Sequence, residues 1–434
     1  MQLRYPYLLA VSTVVLLGGT VVYLRLLGER LPQDNPLLGL VSAIVFVALL
    51  VVVARYFFLL WFSFLGHLET STSEEATHFP LVSIIVPAFN EAKVIASAMR
   101  SLAGLDYPRI ELVVVDDGST DGTYRRALVE AAGLPGIAVR VVTQHNQGKA
   151  RALNRGIAEA RGELVLCVDG DSVLAPQSLR RAVRHFADPH VGAVAGNVKV
   201  VNRVNLLTWL QALEYVEGLN MVRRAQAFFG LVNIVPGPLG LFRREAIRSV
   251  GGYPADTYAE DCDLTLSLLE RGWRLAYEPD AVSLTEAPEQ LGPLFKQRYR
   301  WTRGMIQALR KRKHLVFAWR TDFATRLTLG YMLVECLLWP LANVLANVML
   351  LGVVAEYGFM RLLVLWWLQL TLLDAVGALF CVAMEGEDVR LVPYALMYRM
   401  TFILLIDLCK VFSTLEEFFG ASMSWGKLER LGRI

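Results

Sequence analysis

Two apolar blocks enclose an ordinary globular middle, and this layout constrains the chain more than any other feature. Residues 8–27 and 36–65 lie before the middle, and residues 327–354, 360–384 and 392–412 lie after it. Each run supplies the about 20 mostly apolar residues that a helix needs to cross a bilayer. The blocks explain how a 434-residue chain reaches 55% hydrophobic and only 19% charged residues while keeping a soluble-looking core region. No small-residue cleavage site follows the first run, so the first two runs read as an anchoring helical hairpin and not as a removable signal. The net charge of +3 is small and no long basic tract occurs, so nucleic acid is not an expected partner. Cys167, Cys262, Cys336, Cys381 and Cys409 show neither CxxC nor metal spacing and read as reduced, mostly buried thiols. The expected divisions are two transmembrane helices in 1–70, a globular domain in 75–290 and amphipathic interfacial helices in 291–320. Transmembrane or re-entrant segments in 325–415 and a tail in 416–434 complete them.

The last three apolar runs carry Glu335, Asp374, Arg399, Asp407 and Lys410. Ionisable groups at such depth face a bundle interior or a water-filled path, so they either line a channel or pair with one another. Three full spans would place the tail, with Lys427, Arg430 and Arg433, on the opposite side from the middle domain. Basic residues prefer the same side as a cytosolic domain, so one of the three runs is expected to be re-entrant or interfacial.

Within the middle, compact apolar runs at 82–87, 111–115, 138–143 and 163–168 alternate with helical patterns. Near-continuous apolar strands of this kind form a parallel sheet covered on both faces, with ligands bound beyond the C-terminal strand ends. The polar residues of interest sit at those ends. Pro87-Ala88-Phe89-Asn90-Glu91 follows the first strand and Asp116 to Thr123 the second. Both are well-capped turns, whose acids could also accept bonds from a uracil N–H or ribose hydroxyls. Neither strand is followed by GxGxxG or GxxxxGK, which argues against a dinucleotide enzyme or a P-loop NTPase.

Lys149 opens a helix after Gln147-Gly148, a position suited to phosphate. Asp169-Gly170-Asp171 ends the fourth strand; carboxylates at i and i+2 can turn toward one Mg²⁺ or Mn²⁺ that keeps positions open for a diphosphate, although an isolated pair is as often a polar turn. Glu260-Asp261-Cys262-Asp263 starts a helical pattern. Its acids either cap and balance the helix dipole or include a general base, Asp261, with Asp263 structural. Gln297-x-x-Arg300-Trp301 lies on a basic amphipathic helix with Lys296, Arg298, Arg303, Arg310, Lys311, Arg312 and Lys313. That helix is either a membrane-surface anchor or a platform where Gln297 and Trp301 hold an acceptor sugar and Arg300 a leaving diphosphate.

In this order the motifs resemble the membrane-integrated, processive family 2 glycosyltransferases with a GT-A domain, which include hyaluronan, chitin, cellulose and poly-β-1,6-N-acetylglucosamine synthases. The resemblance covers residues 80 to 312 and extends to the flanking segments by layout. It implies an α/β GT-A cytosolic domain joined to α-helical transmembrane segments in the plasma or inner membrane. It also implies that Ala88, Glu91 and Asp117 hold the uridine, with Lys149 beside it. Asp169 and Asp171 would meet the diphosphate and the metal, and Asp261, next to Glu260, would be the base. Gln297, Arg300 and Trp301, with Arg298 and Gly237, would serve acceptor and diphosphate; Gly237 belongs to a loop, Pro236 to Gly240, similar to the family's acceptor-side loop.

Ser424-Trp425-Gly426-Lys427 is similar to the WGTR element of hyaluronan and chitin synthases, with Leu428 where those carry Arg. Two N-terminal spans and the KQRYRW form are most similar to the bacterial poly-N-acetylglucosamine synthases, with hyaluronan-type synthases second. No cyclic-di-GMP-binding domain follows the membrane segments, unlike in bacterial cellulose synthases. The implied reaction is processive, inverting transfer from a UDP-sugar, N-acetylglucosamine above others, to a growing polysaccharide that the membrane segments extrude. A small membrane accessory subunit or a homo-oligomer is a candidate partner. The alternatives are another polysaccharide synthase of the family, a non-processive transferase to a lipid-linked acceptor, and a non-catalytic membrane scaffold.

Overall fold

The four apolar runs of the middle form β1 (Val82–Ala88), β2 (Ile110–Asp116), β3 (Ala138–Thr143) and β4 (Leu164–Cys167). The computed structural model describes residues 4–28, 36–71, 78–134, 136–170, 172–317, 323–357 and 360–420. β1, β2 and β4 are buried almost throughout, as their unbroken apolar sequences require, whereas β3 at the sheet edge is half-exposed. These four strands run parallel in the order β3-β2-β1-β4.

The sheet does not stop there. β5 (Val173–Leu174), β6 (Val191–Val200), β7 (Gly240–Arg243) and β8 (Arg274–Thr285) extend it to the order β3-β2-β1-β4-β7-β6-β8-β5. β7 is antiparallel to β4 and β6, and β5 to β8, so the expected all-parallel sheet is corrected to a mixed one. The antiparallel entry of β7 matters for the site. Cys167 pairs with Gly240, which brings the Pro236–Leu239 turn to the same end of the sheet as Asp169.

Among the described residues, four helical stretches are long and apolar enough to cross a membrane: Tyr5–Arg25, Gly39–Leu68, Thr325–Glu356 and Leu363–Glu385. The run at 392–412 is not among them. Pro393 removes a backbone donor there, and the chain forms a tight turn over Val389–Tyr394, a wide π-turn at Tyr398–Ile403, and a helix, Leu404–Phe418. That helix lies along the Leu291–Lys311 helix that carries Gln297 and also packs on the apolar Trp339–Tyr357 helix.

The deep charges pair with one another, the second of the two expected arrangements. Arg55 pairs with Glu335 and Arg399 with Asp374, each at 2.5 Å, while Lys410 reaches Asp407 at 3.8 Å. Asn343 Nδ2 donates to Asp407 Oδ2 at 2.7 Å. Glu335, Arg399, Asp407 and Lys410 also border a cavity of about 200 Å³ between the domain and the apolar helices. Three π-turns, Tyr215–Asn220, Val334–Leu338 and Tyr398–Ile403, contribute to its wall. Such wide turns displace backbone and open space where regular helices would close it.

Candidate active site

Lys149 is the centre of the charged cluster at the strand ends. Its Nζ lies 2.6 Å from Asp169 Oδ1 and 2.9 Å from Glu260 Oε1. Burial alone would drive the ammonium toward neutrality, but Asp169, Glu260 and Asp261 outweigh it and hold Lys149 firmly charged. Gly237 passes directly over this pair. A Cβ there would fall 2.9 Å from Lys149 Nζ and 3.0 Å from Asp169 Oδ2, so only glycine lets the turn close on the cluster.

The loop that delivers Lys149 is pinned by Asp117. This buried carboxylate accepts bonds from Gln144 Nε2 at 2.7 Å, Gln147 N at 3.0 Å and Gly148 N at 2.8 Å. Asp117 N in turn donates to Ala88 O at 2.8 Å, tying the ends of β1 and β2 together. Glu91 belongs to the same corner: its N–H donates to Thr123 Oγ1 at 2.8 Å, and its carboxylate occupies the place a Cβ on Gly170 would need. Gly170 is thus required by the acid packed against it. Asp171 lies outside the described residues, as do Lys427, Leu428 and Arg430.

Glu260 and Asp261 open the helix Glu260–Glu270, where the positive end of the helix dipole favours them. Their environments push them apart. Burial raises Glu260, but Lys149 and Arg300 reverse that and hold it below the ordinary carboxylate range. Burial and the neighbouring Glu260 charge raise Asp261 above it, against the opposing pull of Lys149 and Arg300. Such opposite tuning is the pattern that acid–base chemistry uses. Asp263 is fully buried and bound to Lys311 at 2.6 Å and Arg312 at 2.7 Å, a structural acid as expected.

The Leu291–Lys311 helix presses on the segment that delivers the acids. Gly304 sits against Ala259, the residue before Glu260, and Gln307 Oε1 accepts from Tyr258 N at 3.1 Å. About two turns before Gly304, Gln297 is buried with its Oε1 lacking a hydrogen-bond partner among the described residues. Trp301 packs against the membrane-side apolar cluster. Arg298 turns the same way: its guanidinium lies 4.2 Å from the Trp301 ring centroid and pairs with Glu214 at 2.5 Å. The structure therefore gathers Lys149, Asp169, Gly237, Glu260 and Asp261 in one place, with the Arg300 charge acting on both acids. Trp301 and Arg298 stand to the membrane side of that cluster.

Tyr253 was not anticipated. It is buried beside Leu153, Cys167, Asp169 and Asp261. Asn154 clamps it from both sides, accepting from Tyr253 N at 2.7 Å and donating to its carbonyl at 2.8 Å. The sequence signal was Gly251-Gly252-Tyr253-Pro254: Gly252 has φ +91°, and a Cβ there would strike Asn154 Oδ1 at 2.5 Å.

Comparison with known proteins places these features in a context. Residues 80–304 match the family described as "Glycosyltransferase like family 2". Over 229 residues the chain is 33% identical to a poly-β-1,6-N-acetyl-D-glucosamine synthase of Staphylococcus aureus (strain COL), covering 52% of this chain and 55% of the relative. Over 255 residues it is 30% identical to the synthase of that name from Staphylococcus epidermidis, covering 58% and 60%. The chain spans about half the length of the curated relatives it matches. In structure it is similar to a mannosyltransferase from Pyrobaculum calidifontis, solved in complex with GDP-Man and Mn²⁺, with a TM-score of 0.62 and 24% identity. That likeness covers 87% of this chain and all of the other, and it establishes a shared fold.

Proposed function

This chain belongs to glycosyltransferase family 2, with the GT-A fold and several apolar helices, and from that premise we propose that it is a membrane-embedded, UDP-sugar-dependent polysaccharide synthase. The sugar proposed is N-acetylglucosamine, transferred with inversion onto a growing β-linked chain. The relatives' names support that choice, and the acid–base pair at Glu260-Asp261 supports the chemistry.

Donor binding begins at Asp117. Three N–H groups already occupy its carboxylate, two on Oδ1 and one on Oδ2. Of about four lone-pair sites on a carboxylate, one on Oδ2 is left for a uracil N–H or a ribose hydroxyl. Ala88 and Glu91 shape the same corner. Lys149, next along the chain, reaches the diphosphate.

The donor set fits a divalent cation: Asp169 offers hard carboxylate oxygen at a strand end, partly exposed. Among the described residues no cluster of three or more His, Cys, Asp or Glu is arranged to hold an ion, so this ion would draw further ligands from the diphosphate and water. Mg²⁺ or Mn²⁺ held by Asp169 and Asp171 would supply charge neutralisation of the leaving diphosphate.

Asp261 removes the proton of the acceptor hydroxyl as that oxygen bonds to the anomeric carbon and the bond to the diphosphate breaks. A carboxyl raised above its ordinary range is the stronger base, and lies closer to working pH. Lys149 and Arg300 balance the charge on departing UDP. Gln297 Oε1, buried and without a hydrogen-bond partner among the described residues, is poised to accept from an acceptor hydroxyl, and Trp301 offers a stacking face; Arg298 seats that indole. The cavity beyond, walled by paired charges, would carry the product toward the apolar helices. With two apolar helices on each side of the domain, the protein is proposed as multi-pass in the cell membrane with its catalytic domain cytosolic.

The observation that carries this reading is Lys149 binding Asp169 and Glu260 at once, with Asp261 beside them. Asp261→Asn in purified membranes should lower UDP release by about 10²–10⁴-fold, the usual span of general-base catalysis, while UDP-sugar binding stays near wild type. Turnover that survives this substitution contradicts the assignment.

A further inference from the structure

Nearly every charge around the cavity of about 200 Å³ is answered by an opposite one. Glu335 has Arg55, Arg399 has Asp374, Lys410 has Asp407 and Glu214 has Arg298. Arg223 is the exception. It borders the cavity and is only 7% exposed, yet among the described residues no carboxylate lies within ion-pair reach of it. Its Nη1 donates to Asn220 Oδ1 at 3.2 Å. Asn220 is fixed in turn, donating from Nδ2 to Asn197 Oδ1 at 2.7 Å and to Val198 O at 3.2 Å, so its acceptor oxygen is held toward the guanidinium. The adjacent Arg224 shows the contrast, with Glu385 at 2.6 Å.

Glu217, on the same cavity wall, does not supply the missing charge. Tyr56 Oη donates to it at 2.9 Å, and burial, with Asp374 nearby, pushes its carboxyl up and so favours its neutral form; it makes no ion pair with Arg223. Arg223 therefore stays a buried cation with one neutral partner. It also lies within electrostatic reach of Asp261, so the cavity it faces adjoins the proposed base.

We propose that Arg223 sets which saccharide units the cavity accepts, favouring neutral units that carry an acyl carbonyl and excluding units that carry a protonated free amine. The inference rests on the reading of this protein as a saccharide polymerase, and it goes further by assigning a specificity to the acceptor-side cavity. An N-acyl hexosamine offers a carbonyl oxygen to the guanidinium's remaining N–H groups without adding charge. A free hexosamine would place a further cation beside the one guanidinium on this wall with no carboxylate in ion-pair reach among the described residues, and like charges a few Å apart in a confined space repel.

The test is equilibrium binding of two fluorescent oligosaccharides to the full-length protein in lipid nanodiscs, without UDP-sugar. Both are β-1,6-linked glucosamine hexamers, one fully N-acetylated and one with free amines. At pH 7 the wild type should bind the acetylated form on the order of ten- to a hundredfold more tightly, the size of a like-charge penalty at a partly buried site. In Arg223→Gln that ratio should collapse toward one, and in Arg223→Lys most of it should remain. A wild type that binds both alike or neither, or an Arg223→Gln variant with the wild-type ratio, overturns the proposal. If Arg223→Gln does not fold, the wild-type ratio and the lysine variant still decide. UDP release from UDP-N-acetylglucosamine is followed on the same preparations. Its absence alongside an intact binding preference would count against the transferase reading and leave the cavity's specificity standing.

Discussion

Lys149, Glu260 and Asp261 form a unit in which each charge sets the others. Lys149 bonds Glu260, Glu260 raises Asp261, and Arg300 draws both acids down. The sign of a pH effect follows. A raised Asp261 is protonated, and inactive as a base, up to a pH above the ordinary aspartate value of about 3.9. Glu260→Gln removes a negative charge that holds Asp261 up and frees Lys149 to act on it more strongly. Both changes lower Asp261, so the acid limb of the kcat/KM profile should move to lower pH, even as the maximum rate falls. A limb that moves to higher pH contradicts the arrangement.

These residues were legible because each stands in a short motif at a strand end or helix start, where chain direction fixes side-chain placement. Tyr253 was not, and for Arg298 the motif gave a place in the site but not its burial. Tyr253 reaches the site through a glycine turn clamped by Asn154, a contact 99 residues distant in sequence. Arg298 looks, by pattern, like one more basic residue on a polar face. Only packing reveals that it is buried between Trp301 and Glu214.

The Leu291–Lys311 helix joins the acids to the membrane side. Gly304 meets Ala259, Gln307 holds Tyr258, and Arg312 holds Asp263. From the other flank Glu417, on the Leu404–Phe418 helix, accepts from Arg303 Nε at 2.7 Å and Gln307 Nε2 at 3.1 Å. The helix that presses on the proposed catalytic acids is thus itself clamped from its far side. In Gly304→Ala the new methyl would lie 2.5 Å from Ala259 Cβ and closer still to its backbone nitrogen, which cannot yield without moving Glu260. Overpacking of this kind costs about 1–3 kcal/mol, and thermal unfolding should show that loss. Turnover should fall further than stability accounts for, because the base moves with the loop. Wild-type kcat in a destabilised Gly304→Ala protein would show that the helix does not position the acids.

Element types in the first half of the domain followed from apolar periodicity. The second half did not, because β7 has only four residues and joins the sheet antiparallel through long-range pairing. Hydropathy likewise made 392–412 look like a span, and Pro393 with the buried Arg399 and Asp407 decided otherwise. Arg399 finds its partners in Asp374 and Tyr56 and Asp407 in Asn343, all on the apolar helices, while Glu417 of the same element binds Arg303 on the Leu291–Lys311 helix.

At the scale of the whole molecule, the proposed roles follow one another from Asp117 through Lys149 and Asp261 to Gln297, and then to the charged cavity that Arg223 borders. The order matches the order of a polymerisation: donor, reaction, acceptor, exit. A single-transfer enzyme needs only the first half of that series, whereas the proposed processive reading gives the charged cavity a use, as room for a product that stays bound and lengthens. The sequence placed the motifs in this order but could not show the cavity, which arises from three π-turns distant in the chain.

Product length tests this most directly. The purified full-length protein in lipid, given UDP-N-acetylglucosamine and a divalent cation at low enzyme concentration, should release UDP while making a few long chains, with high-molecular-weight material present from the earliest times. Products of one or a few added sugars, growing evenly with time, would contradict a processive synthase.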